Sequence, residues 1–256
     1  GASARFAEAS RSALADPACR LALATRRLGD GSGQRVTLEE TISLSIDGLA
    51  EESAEAVGVF YSLGAFASKP ANFDLTAAQA VAECDADALA LLIERNLLEQ
   101  DADESLALHQ TLADVARTRT PAEVVTRHRE HYLGRVNADD EDWQMIETFY
   151  PQIQWAWQQM QEGDVFSFAR AICIYQNRRG LFSEAIEWIS HCLEIAQNHG
   201  LDSWSAGYLD DLGSLYNTLG EKEKSLGYYE QALPLSRQSK NRKVEATTMN
   251  NMGMLY

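Results

Sequence analysis

The chain has 256 residues, 45% of them apolar, which is enough to build a real core and too much for a disordered segment. Its 38 acidic residues outnumber 22 basic ones, a formal net charge of −16, so its body repels a phosphate backbone. No run of about 18 uncharged apolar residues is present, so neither nucleic acid nor a membrane is an expected partner.

In chain order, residues 1–35 are the basic part, with six arginines against three acids. Residues 36–120 carry four bases against sixteen acids and read as several short helices. Thr37 is the expected N-cap of TLEETISLSIDGLAEES, with Glu40 completing a capping box. In AEAVGVFYSLGAF an apolar helical stripe runs through Val57, Phe60, Tyr61 and Leu63. Pro70 and Asn72 interrupt it. Thr76 is expected to cap a short helix, TAAQAV, and Asp85 or Asp87 to open DADALALLIERN. The segments NLLEQ and SLALH flank the acidic turn from Asp101 to Glu104, which predicts a β-hairpin. A helix from about His109 to Arg119 then ends at Pro121. Helices followed by a two-stranded wing describe a winged-helix domain.

Residues 121–164 predict a helical connector. His128 and His131 are one helical turn apart, yet Arg127 and Arg129 oppose a metal and no third ligand is indicated. The run Asp139-Asp140-Glu141-Asp142 lacks the alternating ligands and glycine of a calcium loop and reads as a solvated helix start. Trp143, Trp155, Trp157 and Trp188 are expected in the core.

Residues 165–256 repeat. CIYQNRRGLFSEAIEWISHCLEIA from Cys173 aligns without a gap on GSLYNTLGEKEKSLGYYEQALPLS from Gly213, 40 residues on, and a third copy begins at Gly253. Small residues at 173, 213 and 253 let helix A of each copy approach helix B. Gly180 and Gly220 sit at the turn between them, where positive φ is needed. Small residues at 185, 192, 225 and 232 pack helix B on helix A, and the larger Ile189 and Tyr229 fill the space between copies. The four cysteines, Cys19, Cys84, Cys173 and Cys192, form no CxxC pair. Cys173 and Cys192 are expected to be small buried residues, and a reducing, cytoplasmic setting fits best.

Leu212-Gly213, Tyr216, Gly220, Ser225, Tyr229 and Ala232 resemble the tetratricopeptide (TPR) pattern, stretched to a 40-residue period. The first copy departs from it at Cys173 and Gln176. The preceding region resembles the winged-helix domain of STAND-class (NB-ARC-like) nucleotide switches. Ser45-Ile46-Asp47-Gly48-Leu49, Phe60…Phe66, Leu92…Leu97-Leu98 and Leu108-His109-Gln110-Thr111-Leu112…Ala116 carry that resemblance, in order. Residues 18–28 look like the end of that family's helical subdomain, and residues 143–157 like its connector to TPRs.

The resemblance implies a mainly α chain. A subdomain tail (1–35) would precede a winged-helix domain with a small β-hairpin (36–120), a helical connector (121–164) and a TPR α-solenoid cut inside its third copy (165–256). It also implies that His109 is a latent contact to an ADP phosphate, although Gln110 replaces the acid of the family's motif. No GxxxxGK[ST] loop occurs, so no nucleotide cofactor is expected in this chain. ADP or ATP with magnesium would belong to a longer parent protein, of which this chain is expected to be a fragment and which would self-associate on activation. No catalytic set can be placed, so the chain itself is expected not to be an enzyme. Counting from the motif places Arg170, Asn177, Arg178, Asp210, Asn217, Asn250 and Asn251 near the concave face formed by the A helices. There they would meet a peptide, protein or small ligand. The expected function is the sensor portion of a STAND-type switch, its winged helix holding the off state. The alternatives are a TPR adaptor without switching and a STAND-type transcription regulator.

Overall fold

The computed structural model describes residues 38–138, 143–160 and 165–255. Cys19, Thr37, the acidic run 139–142 and the subdomain assignment of residues 1–35 lie outside the described residues. The chain forms two compact units. One extends to Arg135 and takes in Glu147–Gln159; the other comprises Val136–Ile146 and Met160–Tyr256.

The first unit contains α1 (Leu38–Glu52), α2 (Ala54–Ser62), a 3₁₀ turn (Leu63–Ala65), α3 (Leu75–Ala82) and α4 (Ala86–Glu94). Strands β1 (Glu99–Gln100) and β2 (Leu106–Ala107) follow, then α5 (Gln110–Arg117). Most of α6 (Ala122–Ala138) and α7 (Trp143–Gln158) complete it. Short polar residues set the helix starts. Ser53, Asp74 and Asp85 accept the N–H of Ala56, Ala77 and Ala88 at 3.1, 2.7 and 3.0 Å. Thr76, expected as a cap, lies inside α3, because the carboxylate of Asp74 reaches the free amide first. The buried face of α2 is Ala56, Val59, Phe60 and, just beyond it, Leu63, so the stripe is rotated from the expected one. Val57 and Tyr61 are only half-buried on its flank.

The hairpin forms where the turn residues require it. Glu99 pairs with Ala107 and Gln100 with Leu106. The acidic turn closes through the Asp101 and Glu104 amides, and Phe73 bridges to the outer edge of Leu106. The core beneath contains Leu49, Phe60, Leu63, Phe66, Leu89, Leu92, Leu98, Leu106 and Tyr132, all of them fully buried.

The segment 121–164 is more than a tether. From α7, the fully buried Gln152 accepts the N–H of Ala67 at 2.8 Å and donates to the carbonyl of Asn72 at 3.0 Å. The ring of His128 on α6, 1% exposed, meets the same amide oxygen at 3.2 Å. Burial pushes the His128 imidazole down to about 4, although Gln152 opposes the shift. His128 is therefore a neutral core residue, and its Nε2–H donates to Gln152. Trp155 donates to the carbonyl of Ala65 at 2.9 Å, under the guanidinium of Arg117.

The second unit is a run of antiparallel helices: α8 (Val165–Arg178), α9 (Phe182–Asn198), α10 (Asp202–Thr218), α11 (Lys222–Gln238) and α12 (Arg242–Gly253). Each packs on the next, and α10 also meets α12. The small residues of helix B are buried as expected, but nothing lies within 4 Å of a Cβ built at Gly253, and Tyr229 packs on Gly213 of its own hairpin rather than between copies. Ala185, Cys192, Ser225 and Ala232 are fully buried, as is Ile189, and Tyr229 is 1% exposed. A Cβ at Gly213 would lie 2.6 Å from Cδ1 of the Tyr229 ring, so only glycine fits there. Ser225 fixes the same approach by donating to the Gly213 carbonyl at 2.7 Å. Gly180 and Gly220 turn between helices at φ +72° and +79°. Cys192 is buried, but Cys173 is only partly so. Burial pushes both thiols up to about 12, so neither is a thiolate nucleophile at neutral pH.

The turn from helix B to the next helix A repeats too. Gly200 has φ +65°, whereas its counterpart 40 residues on is Lys240, at φ +56°. A side chain in this left-handed region costs roughly 1–2 kcal/mol, part of which glycine's extra freedom in the unfolded chain takes back. Lys240→Gly is expected to stabilise the repeats by about 1 kcal/mol in urea denaturation; a loss of stability would show that this turn is not under strain.

Candidate functional site

The A helices of the repeat are α8, α10 and α12, so residues 170, 210 and 250 occupy one column and 171, 211 and 251 the next. Where these columns converge the structure forms a cleft of about 280 Å³, lined by Arg170, Gly207, Asp210, Asp211, Asn241, Lys243, Val244 and Thr247. Arg170 extends from α8 across Gly207, where a Cβ would stand 3.5 Å from its Nη1. Its Nε lies 3.3 Å from Oδ2 of Asp211. Asn251 donates from Nδ2 to Oδ1 of Asp210 at 3.3 Å.

The two adjacent carboxylates share an unfavourable setting. Burial raises the carboxyl of Asp210 against the opposing effects of the Thr248 hydroxyl, the Asn251 amide and Arg170. Burial likewise pushes Asp211 up to about 6, Arg170 opposing and the charge of Asp210 adding to the rise. Oδ2 of Asp211 is buried and receives no well-aligned hydrogen bond. Three helices thus hold a compact polar cluster in which two adjacent carboxylates face Arg170, with Lys243 at the rim.

Of the seven groove residues expected from the repeat, the structure brings Arg170 and Asp210 into the cleft, with Asn251 against Asp210. Asn177 and Asn217 stand in the last turns of α8 and α10, where their carbonyls accept the N–H of Gly180 and Gly220 at 3.1 and 2.9 Å. They lie two helical turns away because seven residues separate them from the cleft columns. Arg178 is the exposed end of α8, and Asn250 is exposed on α12. Sequence reasoning did not single out Asp211, Lys243 or Thr247. For Asp211 a signal existed, since it precedes Asn251 by one repeat.

In the first unit, His109 is exposed and caps α5, its Nδ1 accepting the N–H of Thr111 at 3.3 Å. Gln110 beside it is engaged, accepting from the Ser68 hydroxyl at 2.6 Å and donating to Asp114 at 2.9 Å. Among the described residues there is no group of three or more potential metal ligands, and no helix is long and apolar enough to cross a membrane.

No curated protein matches the chain. Among solved structures, one similar chain is a signal-transduction ATPase with numerous domains (STAND) protein with a tetratricopeptide repeat sensor, from Pyrococcus horikoshii. The two are 14% identical, and the match covers 88% of this chain and 50% of that one. The chain thus spans about half the length of that protein, at a TM-score of 0.33, below the level of a shared overall fold. The tetratricopeptide repeat family model matches residues 169–238, the span from α8 to the end of α11. With the helical hairpins, their glycine turns and the Gly213–Tyr229 contact in place, residues 169–238 of this chain are tetratricopeptide repeats.

Proposed function

We propose that this chain is the regulatory, ligand-sensing portion of a STAND-type nucleotide switch, with the TPR segment as sensor. The observation that carries the sensor assignment is the polar cleft built by the A helices α8, α10 and α12. TPR segments generally bind protein or peptide, and a peptide or protein segment is the partner this cleft suits. The first unit acts as a winged-helix module: its helices, its β1–β2 wing and the helix opened by His109 occur in the order that such a module needs. The motif residues Phe60, Phe66, Leu97, Leu98 and Leu108 support this, since all are buried.

In the longer parent that this reading implies, the nucleotide is held by other residues, and His109 contributes at most one phosphate contact. A ligand drives such a switch only by binding the released state more tightly. Moving an equilibrium from 1:99 to 99:1 takes about a 10⁴-fold difference in affinity.

Two measurements test the reading. Millimolar Mg-ADP is expected to leave the melting temperature of this chain unchanged, and a rise of several degrees would overturn the view that the nucleotide site lies elsewhere. Peptides selected from a random displayed library are expected to protect amides on α8, α10 and α12; selection of none, or protection confined to the first unit, sinks the sensor assignment.

A further inference from the structure

We propose that the basic turn between α11 and α12 docks an acidic amphipathic helix of a partner protein. The site shares no lining residue with the cleft of Arg170, Asp210 and Asp211, so it stands apart from the sensor reading.

Formal charge carries the proposal. A surface cavity of about 410 Å³ is lined by Arg237, Lys240, Arg242, Glu245, Ala246 and Met249. Three cations there face one carboxylate, in a chain whose net charge is −16. That carboxylate is engaged, since Nε of Arg237 donates to Oε1 of Glu245 at 2.7 Å. Lys240 and Arg242 stand exposed, and among the described residues no acidic group pairs with either.

The fold itself does not need these cations. The corresponding turn in the preceding copy has Gln197, Gly200 and Asp202 in the places of Arg237, Lys240 and Arg242. Both turns close with the same backbone bonds. The N–H of Gly200 donates to the carbonyl of Gln197, and that of Lys240 to the carbonyl of Arg237, each at 3.1 Å. Lys240 even holds a left-handed φ of +56°, where glycine serves at +65°. Charge gathered at a conformational cost points to a use outside the fold. It complements an anionic occupant and repels a basic one.

Shape selects a helix. The apolar part of the cavity is Ala246 and Met249, the latter 53% exposed. Their counterparts Ala206 and Leu209 are buried on α10, which has α9 and α11 packed on it. Helices therefore bury this pair in the preceding copy, and α12 offers the same small-then-large pair at the same spacing. An amphipathic helix sets its apolar stripe on that pair and its carboxylates against the cations. A lone phosphate would leave Ala246 and Met249 uncovered, and a nucleic acid would meet the net negative charge of the chain.

The test is a titration of the whole chain with the peptide acetyl-EALEELLEEALEEL-amide, read by amide chemical shifts. The comparisons are the same peptide with glutamine or lysine at every glutamate, a scramble that spreads its leucines around the helix, and inorganic phosphate. The acidic peptide is expected to bind about tenfold or more tighter than the glutamine peptide at low salt, moving resonances of Lys240, Arg242, Ala246 and Met249. Arg242→Gln and Lys240→Gly should each weaken it about two- to fivefold, as the loss of one exposed ion pair does. Lys240→Gly should do so while raising stability, which separates lost binding from lost folding. Met249→Asp should weaken binding about tenfold or more. Equal binding of the acidic and glutamine peptides overturns the proposal, as does tighter binding of the lysine peptide. So does an affinity unchanged in the Arg242→Gln, Lys240→Gly double variant, or shifts confined to Asp210, Asp211 and Thr247. A scramble or phosphate that binds as tightly overturns the choice of a helix. Sedimentation that shows the chain as a dimer, made monomeric by Met249→Asp, makes a second copy the occupant and overturns the partner. If no peptide binds, the proposal falls, and the library selection described above judges the sensor reading separately.

Discussion

Replacing Gln152 by leucine is expected to cost the first unit about 4 kcal/mol at pH 7, enough to leave a marginal domain close to unfolding. The side chain is fully buried and ties together three elements. It serves the N–H of Ala67 and the carbonyl of Asn72, both in the segment between the 3₁₀ turn and α3, and the ring of His128 on α6. Leucine fits the volume but leaves two backbone groups and an imidazole N–H without partners. Each such orphan costs about 1–3 kcal/mol. Urea denaturation measures the loss; a change under about 1 kcal/mol would mean that water replaces the amide. The same network predicts a pH dependence. His128 has its folded-state value depressed to about 4 from an unfolded 6.5. Its contribution is therefore complete above pH 6.5 and is lost as pH falls toward 4. The loss reaches about 3 kcal/mol, because a tenfold difference in proton affinity between folded and unfolded chains corresponds to about 1.4 kcal/mol. His128→Phe keeps the aromatic packing against Phe66 and Tyr132 and should remove this part of the acid sensitivity. An unchanged acid slope in that variant would locate the titrating group elsewhere.

Gly64→Ala is expected to destabilise the first unit by about 3 kcal/mol. Its added Cβ would lie 2.8 Å from the carbonyl carbon of Ala116 and the amide nitrogen of Arg117, and it would also strike the Thr120 hydroxyl. Those are backbone atoms of α5 and a hydroxyl pinned to the carbonyls of Tyr61 and Ala116 at 2.9 and 3.1 Å, so nothing nearby can swing aside. Gly58 supplies the internal comparison. It lies in the middle of α2 with nothing within 4 Å of its added Cβ. Gly58→Ala should therefore gain up to about 1 kcal/mol from helix propensity. Thermal or urea melts of the pair should move in opposite directions; a shared direction would mean that α5 is not held against the 3₁₀ turn.

The repeats were legible in the chain because their signal is periodic. A 40-residue spacing aligned Gly180 with Gly220 and Ser225 with Ala185, and the physical demands at those positions, positive φ and close helix approach, are local enough to be written in residue type. The hairpin was legible for the same reason, as two apolar segments around an acidic turn. Helix caps were less so: Asp74 and Thr76 both carry cap chemistry, and only the backbone geometry decides which carboxylate or hydroxyl meets the free amide.

What the sequence by itself determined about this protein is its repeat period, its mainly helical character, the turn positions and the acidic character of residues 36–120. What only the tertiary structure decided is which polar residues meet. Arg170 and Asp211 are 41 positions apart, Asp210 and Asn251 also 41, and His128 and Gln152 sit on different helices. Helical periodicity places each on a face of its own helix, but burial, and with it the raised carboxyls of the cleft and the depressed imidazole of the core, depends on which faces are packed together.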